Sequence, residues 1–294
     1  MYLVVGANGF LGTYILKNIL EKTEDDIVAV ARNIENKNED SRIKWVSCDI
    51  TDFTKVDYLC EMLEQYTEIK AVFLAAYHNP DLVEKYPQIA WNTNVTCLSY
   101  FVNKLRNVKC LFYPSTDSVY GNSMDGYHFR EEDDLNPVNT YGKQKCVAEK
   151  VVLGYGYNVV RYPFLIATSL SPVKKHFYDA IVEKLSSGQE MEMFVDSLRS
   201  SMSFDTGASL LIDLMENYSE KIPKKLNICG DDDLSKYDIG LMIAKKLGVN
   251  SKLIRPASIC DSNNIFEAKR AQSTLMDNSK LKETLGIESI RLVL

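Results

Sequence analysis

Three glycines follow the first apolar run of the chain, spaced three residues apart. The run Tyr2–Val5 has the composition of a buried strand, and a helical pattern begins near Phe10. A strand-to-helix turn of this kind presents unpaired N–H groups and the positive end of the helix dipole to an anion. In such a turn Gly6 makes the bend, Gly9 lets a diphosphate approach the backbone, and Gly12 lets the helix pack close to the strand. We therefore expect a dinucleotide-binding βαβ unit at the start of the chain.

The first half of the chain alternates short β-branched or aliphatic runs with amphipathic stretches of helical length. The run 71–76 is apolar throughout, which is typical of a strand in a parallel sheet covered on both faces. The predicted strands are Tyr2–Val5, Ile27–Ala31, Ile43–Cys48, Ala71–Ala75, Cys110–Tyr113 and Asn158–Tyr162. The predicted helices are Leu11–Lys22, Lys55–Tyr66, Pro87–Leu105 and Tyr141–Gly154. This alternation predicts an α/β fold with a Rossmann-type, doubly wound parallel sheet.

The pattern loosens after residue 164, where loops rich in Ser, Asp and Gly separate the elements. Three further helices and one strand are predicted there, at Lys175–Ser186, Thr206–Asn217, Lys236–Leu247 and Leu226–Ile228. We expect residues 1–164 to form an NAD(P)-binding domain. Residues 165–294 are expected to form a smaller substrate-binding lobe that is interleaved with it.

Composition narrows the classes of function. A net charge of -6 with mixed signs argues against an extended nucleic-acid surface. No apolar stretch reaches the roughly 18 residues of a membrane span, and the first residues lack the basic start of a signal peptide, so we expect no membrane contact and a cytoplasmic location. The seven cysteines form no C-x-x-C pair and the three histidines lack metal-ligand spacing, so neither a disulfide framework nor a metal site is predicted.

Tyr141 and Lys145 form a Tyr-x-x-x-Lys pattern on a predicted helix, which places them one turn apart on the same face. A tyrosine hydroxyl titrates near ~10 and exchanges protons poorly at neutral pH unless a nearby cation stabilises the phenolate. Lys145, together with the positive nicotinamide ring of an oxidised cofactor, would supply that stabilisation. The spacing indicates an acid–base pair, and the plain alternative is the start of an amphipathic helix.

The glycine spacing G-x-x-G-x-x-G resembles the extended branch of the short-chain dehydrogenase/reductase superfamily, the NAD-dependent epimerases and dehydratases that act on nucleotide sugars. Three later stretches match this family in order: Cys48-Asp49-Ile50, Phe73-Leu74-Ala75-Ala76, and Asn94 in the following helix. The resemblance implies that the cofactor is contacted by Gly6, Asn8, Gly9, Phe10, Leu11, Gly12, Asp49, Ile50, Leu74, Ala75, Ala76, Asn94, Tyr141 and Lys145.

The residue after the second strand tests the adenosine end of the cofactor. NAD-specific enzymes place an acid there to bond the ribose 2′-hydroxyl, whereas an arginine accommodates a 2′-phosphate. This chain has Arg32 just past the strand and no acid at the strand end. We therefore favour NADP over NAD and assign Arg32 to the cofactor site, with NAD and a surface role for Arg32 as the alternatives.

The segment Tyr113–Gly121 resembles the part of the family that carries a catalytic Ser or Thr, and Thr116 falls on that position. The resemblance implies a catalytic triad of Thr116, Tyr141 and Lys145, in which the Thr116 hydroxyl bonds the substrate's carbonyl or alkoxide oxygen. The related 4,6-dehydratases read Thr-Asp-Glu here. In this chain the third residue is Ser118, which disfavours dehydration.

Ser115-Thr116-Asp117 is similar to the dTDP-4-dehydrorhamnose reductases, and the resemblance puts Asp117 at the substrate. The ending Arg270–Leu281 also resembles the Arg-Pro-x-x-Ser-x-Leu-Asp-x-Ser-Lys-Leu closure of that family. Two departures are present: Ala271 replaces the proline, and Met276 is an insertion.

Other segments resemble nucleotide-sugar epimerases. These are Val119-Tyr120-Gly121 and the stretch Arg199–Asp205, whose arginine clamps the substrate diphosphate in that family. Arg199, and also Arg255 before a proline, would hold a diphosphate by charge-assisted hydrogen bonds. The alternative is that both are surface arginines.

The resemblance therefore implies an NAD(P)H-dependent reductase of a nucleotide-activated 4-ketosugar. Two alternatives stay open: an epimerase that keeps its NAD(P), and a regulatory subunit that binds nucleotide without turnover. The family also implies a homodimer, formed through helices like those that contain Tyr100 and Val147.

Overall fold

The computed structural model describes residues 1–34, 40–171, 175–260 and 265–294. The strands in these ranges are β1 (Tyr2–Val5), β2 (Ile27–Ala31), β3 (Ile43–Ser47), β4 (Ile69–Phe73), β5 (Val108–Thr116), β6 (His128–Phe129), β7 (Asn158–Tyr162), β8 (Leu165–Ile166), β9 (Met191–Phe194), β10 (Leu198–Arg199), β11 (Met202–Ser203), β12 (Lys225–Asn227), β13 (Leu234–Ser235), β14 (Ile254–Ala257) and β15 (Ser273–Met276). The α-helices are α1 (Phe10–Lys22), α2 (Phe53–Leu63), α3 (Pro80–Lys85), α4 (Pro87–Trp91), α5 (Leu98–Lys104), α6 (Thr140–Gly154), α7 (Phe177–Ser186), α8 (Phe204–Glu216), α9 (Lys236–Leu247) and α10 (Ser279–Leu285).

The main sheet has seven strands in the order β12-β7-β5-β4-β1-β2-β3. All of its neighbouring strands run parallel. The chain winds outward from β1 through β2 and β3, and then crosses to β4 on the other side. This reversal of direction makes a crevice at the carboxyl edge, where open α/β sheets bind their ligands. The predicted Rossmann-type, doubly wound sheet is confirmed.

Helices cover both faces of this sheet, and alternate residues of each strand point to opposite faces. On β1, Tyr2 and Val4 belong to the core that includes residues of α1 and α8. Leu3 and Val5 belong to the core that includes residues of α2, α5 and α6. Strands β1 and β2 in the middle of the sheet are buried throughout because each of their faces lies against a helix layer.

The chain leaves the sheet after β7 and later returns to it. Helix α8 packs against α1, and β12 pairs with β7 at the edge of the sheet. A separate apolar core lies among α7, α9, β9 and β14. The segment that carries α8 and β12 thus belongs to the large domain, and the smaller lobe is built from the segments on either side of it.

The sequence analysis did not predict α3, α10 or the short strands of the smaller sheets, and it placed β4 two residues too late. Two further differences concern the predicted elements themselves. The predicted helix Pro87–Leu105 is divided into α4, a π-helical segment Asn92–Cys97, and α5. Strand β5 continues through Pro114 to Thr116, although proline cannot donate to a sheet ladder. The proline is tolerated because the pairing with β4 ends at Phe112, while β7 alone continues alongside as far as Thr116.

Tyr100 and Val147, which mark the expected dimer helices, lie part-exposed on α5 and α6. Beside them is a groove of about 580 Å³, lined in part by Phe53, Tyr100 and Tyr155. The homodimer stays a prediction. Within the described ranges, every helix is too short or too polar to cross a membrane.

Candidate active site

A cavity of about 800 Å³ lies at the carboxyl edge of the main sheet, between the large domain and the smaller lobe. Twelve of the residues predicted for the site line it: Gly6, Gly9, Phe10, Leu11, Gly12, Leu74, Ala76, Thr116, Asp117, Tyr141, Lys145 and Arg199. Strand pairing and the start of α6 bring these residues together from distant parts of the chain.

The glycine turn at one end of the cavity has no room for side chains. Gly6 has a φ of +89°, and a methyl group on it would lie 2.9 Å from the backbone nitrogen of Ala75. A methyl group on Gly12 would lie 2.6 Å from the carbonyl oxygen of Gly6. Gly9 caps α1 without a side-chain hydrogen bond, so the first N–H groups of the helix are left for an anion. The turn therefore has the shape and polarity of a diphosphate cradle.

The predicted adenosine contacts lie beside this turn, outside the cavity lining. Asn8 donates from Nδ2 to the carbonyl oxygen of Asn33 at 3.0 Å, which ties the glycine turn to the segment after β2. Arg32 is exposed at the end of β2. Asp49 follows the neighbouring strand β3 and accepts hydrogen bonds from the backbone N–H and the hydroxyl of Thr51 at 3.0 and 2.8 Å. Its neighbour Ile50 is buried in the core.

Asn94 is 1% exposed, and its amide is fully engaged by protein groups. Its Oδ1 accepts from the backbone N–H of Tyr77 at 2.7 Å. Its Nδ2 donates to the Tyr77 carbonyl at 3.1 Å and to Oε1 of Gln144 at 2.8 Å. Asn94 thus holds the segment after β4 against α6, and its predicted contact with a cofactor stays a prediction.

Tyr141 stands in the first turn of α6, which Asn139 caps by accepting from the backbone N–H of Gly142 at 2.9 Å. Gly142 lets this turn approach the loop after β5, because a methyl group there would lie 2.5 Å from the carbonyl oxygen of Ser118. Burial raises the pKa of the Tyr141 phenol, and the carboxylate of Asp117 raises it further. Tyr141 is thus a protonated phenol on the cavity wall at neutral pH.

Lys145 is 3% exposed and points toward β5. Its ammonium donates to the hydroxyl of Tyr113 at 2.6 Å and to the carbonyl oxygen of Pro114 at 2.8 Å. Burial lowers the pKa of Lys145 to about 7, although Glu149 one turn further along α6 acts in the opposite direction. In this structure the ammonium therefore pairs with Tyr113, and its predicted action on the phenol of Tyr141 stays a prediction.

Asp117 links Thr116 to the smaller lobe. Its Oδ1 accepts from the Thr116 hydroxyl at 2.9 Å, and its Oδ2 accepts from the hydroxyl of Thr274 at 2.8 Å. Nε of Arg199 lies 3.2 Å from the same Oδ2. The other nitrogens of Arg199 donate to the carbonyl oxygens of Leu198, Gln272 and Ala271. The guanidinium of Arg199 therefore holds Asp117 and the chain near β15, and its hydrogen-bonding groups are largely used by the protein.

Arg255 lies outside the cavity lining, on β14, where its guanidinium makes two hydrogen bonds of 2.6 Å to Glu190. Both side chains are more than half exposed. The position of Arg255 does not support the predicted contact with substrate, because its side chain is absent from the cavity lining and its guanidinium is paired with Glu190.

The cavity also contains residues that the sequence analysis did not single out as binding residues. His176, Lys236 and Arg270 line it on the lobe side. Burial lowers the pKa of His176 to about 4, so its ring is neutral, and it packs edge-on against Phe10 at a centroid distance of 5.0 Å. Arg270 opens the closing motif and could have been found there. For His176 we find no local signal. For Lys236 the available signal was its place just after Ser235 at a predicted helix start, where a lysine is unfavourable.

The geometry of the cavity does not by itself identify the protein family, whereas a comparison with family models does. The model described as RmlD substrate binding domain matches residues 1–291. The chain belongs to this family.

Relatives of this chain carry names that describe different functions. Methionine adenosyltransferase 2 subunit beta of Bos taurus is 26% identical, over 97% of this chain and 82% of its own length. The dTDP-4-dehydrorhamnose reductase of Aggregatibacter actinomycetemcomitans is 22% identical, over 97% of this chain and 93% of its own length.

Solved structures share the fold. The dTDP-4-dehydrorhamnose reductase of Bacillus anthracis in complex with NADP superimposes with a TM-score of 0.77 at 18% identity, covering 99% of this chain and 94% of that one. The UDP-glucuronic acid 4-epimerase of Bacillus cereus, in complex with UDP-glucuronic acid and NAD, does so with a TM-score of 0.81 at 19% identity and the same coverage. The extended short-chain dehydrogenase/reductase fold expected from the sequence is confirmed.

Proposed function

We propose that this chain is a reductase of a nucleotide-activated 4-ketosugar that uses NADPH. The observation that carries the proposal is the protonated phenol of Tyr141, which lines one cavity together with the Thr116 hydroxyl and the glycine turn. Membership of the RmlD family, whose relatives include a dTDP-4-dehydrorhamnose reductase, supports the same reaction class.

The residues present fit a dinucleotide. The turn from Gly6 to Gly12 would hold the diphosphate at the start of α1, and Leu74 and Ala76 would lie along the cofactor. Lys145 would bond the nicotinamide ribose. Arg32, exposed beside the turn, suits the 2′-phosphate of NADP, and the Bacillus anthracis relative was crystallised with NADP. NAD is the alternative.

The bound nicotinamide would supply the hydride to the carbonyl carbon. Tyr141 donates its proton to the carbonyl oxygen as the negative charge develops there. Thr116 holds the same oxygen, for which its hydroxyl must turn away from Oδ1 of Asp117. The ammonium of Lys145, once released from Tyr113, stabilises the phenolate that Tyr141 leaves behind.

Membership of the RmlD family, whose relatives include a dTDP-4-dehydrorhamnose reductase, favours reduction over epimerisation. The phenol of Tyr141 does not separate the two reactions, because an epimerase uses the same groups reversibly. Dehydration is disfavoured because the dehydratases have a second acid where this chain has the hydroxyl of Ser118. That hydroxyl donates to Asp117 at 3.3 Å and accepts from Thr116 at 3.3 Å.

The test is to incubate the protein with NADPH and a panel of nucleotide-4-ketosugars, and to follow absorbance and sugar products together. A reductase consumes one NADPH for each sugar reduced. Product formation without net NADPH loss would identify an epimerase. An absence of oxidation across a broad panel, in a protein that binds NADPH, would contradict the reductase proposal.

A second candidate is a binding subunit without turnover, which the similarity to methionine adenosyltransferase 2 subunit beta favours. In that case the protein would bind NADPH, oxidise none with any ketosugar, and change the kinetics of a methionine adenosyltransferase. A Tyr141→Phe variant that retains this effect in full would support the second candidate.

A further inference from the structure

Four cationic side chains line the lobe side of the cavity: Lys175, Arg199, Lys236 and Arg270. Three of them are paired with a carboxylate. The ammonium of Lys175 lies 2.6 Å from Glu183, Nε of Arg199 lies 3.2 Å from Asp117, and an amino group of Arg270 lies 2.6 Å from Asp81. Among the residues that the structure describes, Lys236 has no carboxylate within ion-pair distance. One positive charge at this end of the cavity therefore has no counterion in the described ranges.

The ammonium of Lys236 is surrounded by aromatic rings. It lies 5.7, 5.5 and 5.9 Å from the ring centroids of Phe164, Phe177 and Phe194. Such contacts orient a cation but do not cancel its charge. Burial lowers the pKa of Lys236 to about 8, and the charges of Arg199 and Arg270 lower it further toward that value. An anion bound in the cavity would stabilise the charged form of Lys236.

The position of Lys236 in its helix adds to the unbalanced charge. It is the first residue of α9, where the helix dipole is positive and a lysine is unfavourable. The acid in this turn, Asp238, is used for capping, since it accepts from the backbone N–H of Ser235 at 2.9 Å. The sequence therefore keeps a cation at a site where local structure opposes it.

Ser201 lines another part of the same cavity. It is fully buried, and its hydroxyl has no hydrogen-bond partner within the described part of the chain. Strand β10 pairs antiparallel with β13, with Leu198 opposite Ser235, so the chain moves away from Lys236 as it runs on to Ser201. The unpartnered hydroxyl indicates a polar ligand in the cavity, whereas the argument for an anion rests on the charge and surroundings of Lys236.

We propose that Lys236 is the residue that anchors the diphosphate of the nucleotide substrate, in place of the arginines Arg199 and Arg255. The inference rests on the proposed nucleotide-sugar substrate and assigns a specific contact within it. Arg199 is held by Asp117 and three backbone carbonyls, and Arg255 lies outside the cavity. Among the described cations on the lobe side of the cavity, Lys236 is the one without a carboxylate partner, so its ammonium can form charge-assisted hydrogen bonds with phosphate oxygens.

The test measures binding and does not depend on turnover. The protein, saturated with NADPH, is titrated calorimetrically with uridine and thymidine diphosphates and with the two nucleosides. The variants are Lys236→Met, Lys236→Arg and the control Lys175→Met. Lys175 lines the same cavity, but its ammonium is exposed and lies 2.6 Å from Glu183.

We expect Lys236→Met to weaken diphosphate binding by about 10- to 100-fold, the range of a lost hydrogen bond to a charged group. Lys236→Arg should lose much less affinity for the diphosphates, and Lys175→Met should bind them as the parent protein does. No variant should change the affinity for NADPH or for the nucleosides. Thermal unfolding checks that each variant is folded.

Several results would overturn the proposal. These are parental diphosphate affinity in a folded Lys236→Met protein, an equal loss of NADPH affinity, or no diphosphate binding by the parent protein. A loss seen with UDP-glucuronic acid but not with uridine diphosphate would also overturn it, because Lys236 would then contact the sugar carboxylate. If diphosphate binding depends on Lys236 but no ketosugar is reduced, the role of Lys236 is supported and the proposed reductase activity is contradicted.

Discussion

The ammonium of Lys145 donates a 2.6 Å hydrogen bond to the hydroxyl of Tyr113, although Tyr141 stands one turn before it on the same helix. The ammonium also lies 4.0 Å from the centroid of the Tyr113 ring. Strand β5 and helix α6 thus share a buried cation, and the pKa of that cation falls to about 7. The catalytic helix contains a group that changes charge near neutral pH.

The first prediction concerns the pH dependence of reduction. Because burial favours the neutral amine, the ammonium of Lys145 is fully formed only below pH 7 or so, and it is lost as the pH rises through that value. The ratio kcat/KM, which reports the free enzyme, should therefore fall as the pH rises through about 7. Lys145→Met should have a low kcat/KM at every pH, without the fall near pH 7. Lys143→Met, on the exposed side of α6, should keep that fall. A parental pH profile in Lys145→Met would refute the role of this residue.

The second prediction concerns the proton donor. Tyr141→Phe removes the hydroxyl and should lower kcat by roughly 10²- to 10⁴-fold, the usual contribution of general acid catalysis. Its dissociation constant for NADPH should stay close to the parental value. The control is Tyr155→Phe just past the end of α6, where the hydroxyl only donates to Asn103 at 3.1 Å. Undiminished turnover in Tyr141→Phe would show that the proton comes from elsewhere.

The third prediction concerns the glycine turn. Gly12→Ala places a methyl group 2.6 Å from the carbonyl oxygen of Gly6, so the turn must open and NADPH binding should be lost or severely weakened. Gly154→Ala is the matched control, because a methyl group there meets nothing within 4 Å and α6 should gain about 0.5–1 kcal/mol of stability. Fluorescence titration with NADPH and urea unfolding measure the two effects. Parental NADPH affinity in Gly12→Ala would count against the diphosphate cradle.

The fourth prediction concerns the choice between NADP and NAD. Arg32→Ala should weaken NADPH binding by about 10- to 100-fold, as expected for a lost charged hydrogen bond, and should leave NADH binding nearly unchanged. The two cofactors, measured on the same variant, control for each other. If both affinities change equally, Arg32 does not contact the 2′-phosphate.

The fifth prediction concerns stability. Arg199→Met leaves the buried carboxylate of Asp117 without its cation and should lower the free energy of unfolding by roughly 3–5 kcal/mol. Arg255→Met breaks an exposed pair with Glu190 and should cost less than about 1 kcal/mol. Urea denaturation of the two variants tests the difference. Equal losses would mean that the network of Arg199 and Asp117 is not a structural element.

The opening of the chain shows how far local rules reach. The three glycines predicted the strand, the turn and α1, because a tight turn and a close helix approach admit only glycine at these positions, whatever the rest of the chain does. The alternation of buried strands and amphipathic helices is a short-range pattern, and it was sufficient to predict the doubly wound sheet. The end of β5 could not be predicted in this way, because Pro114 is compatible with a strand only where a neighbouring strand has stopped.

The sequence by itself determined the sheet, the nucleotide-binding turn and the presence of a hydroxyl, a phenol and an amine at the carboxyl edge. The tertiary structure decided which charges are left for a ligand. It paired Arg199 with Asp117, paired Arg255 with Glu190 outside the cavity lining, and set Lys236 among three rings, where no carboxylate of the described residues pairs with it. The physical reason is that charge neutralisation depends on contacts between residues far apart in the chain, which strand pairing and lobe packing create and which no local pattern encodes.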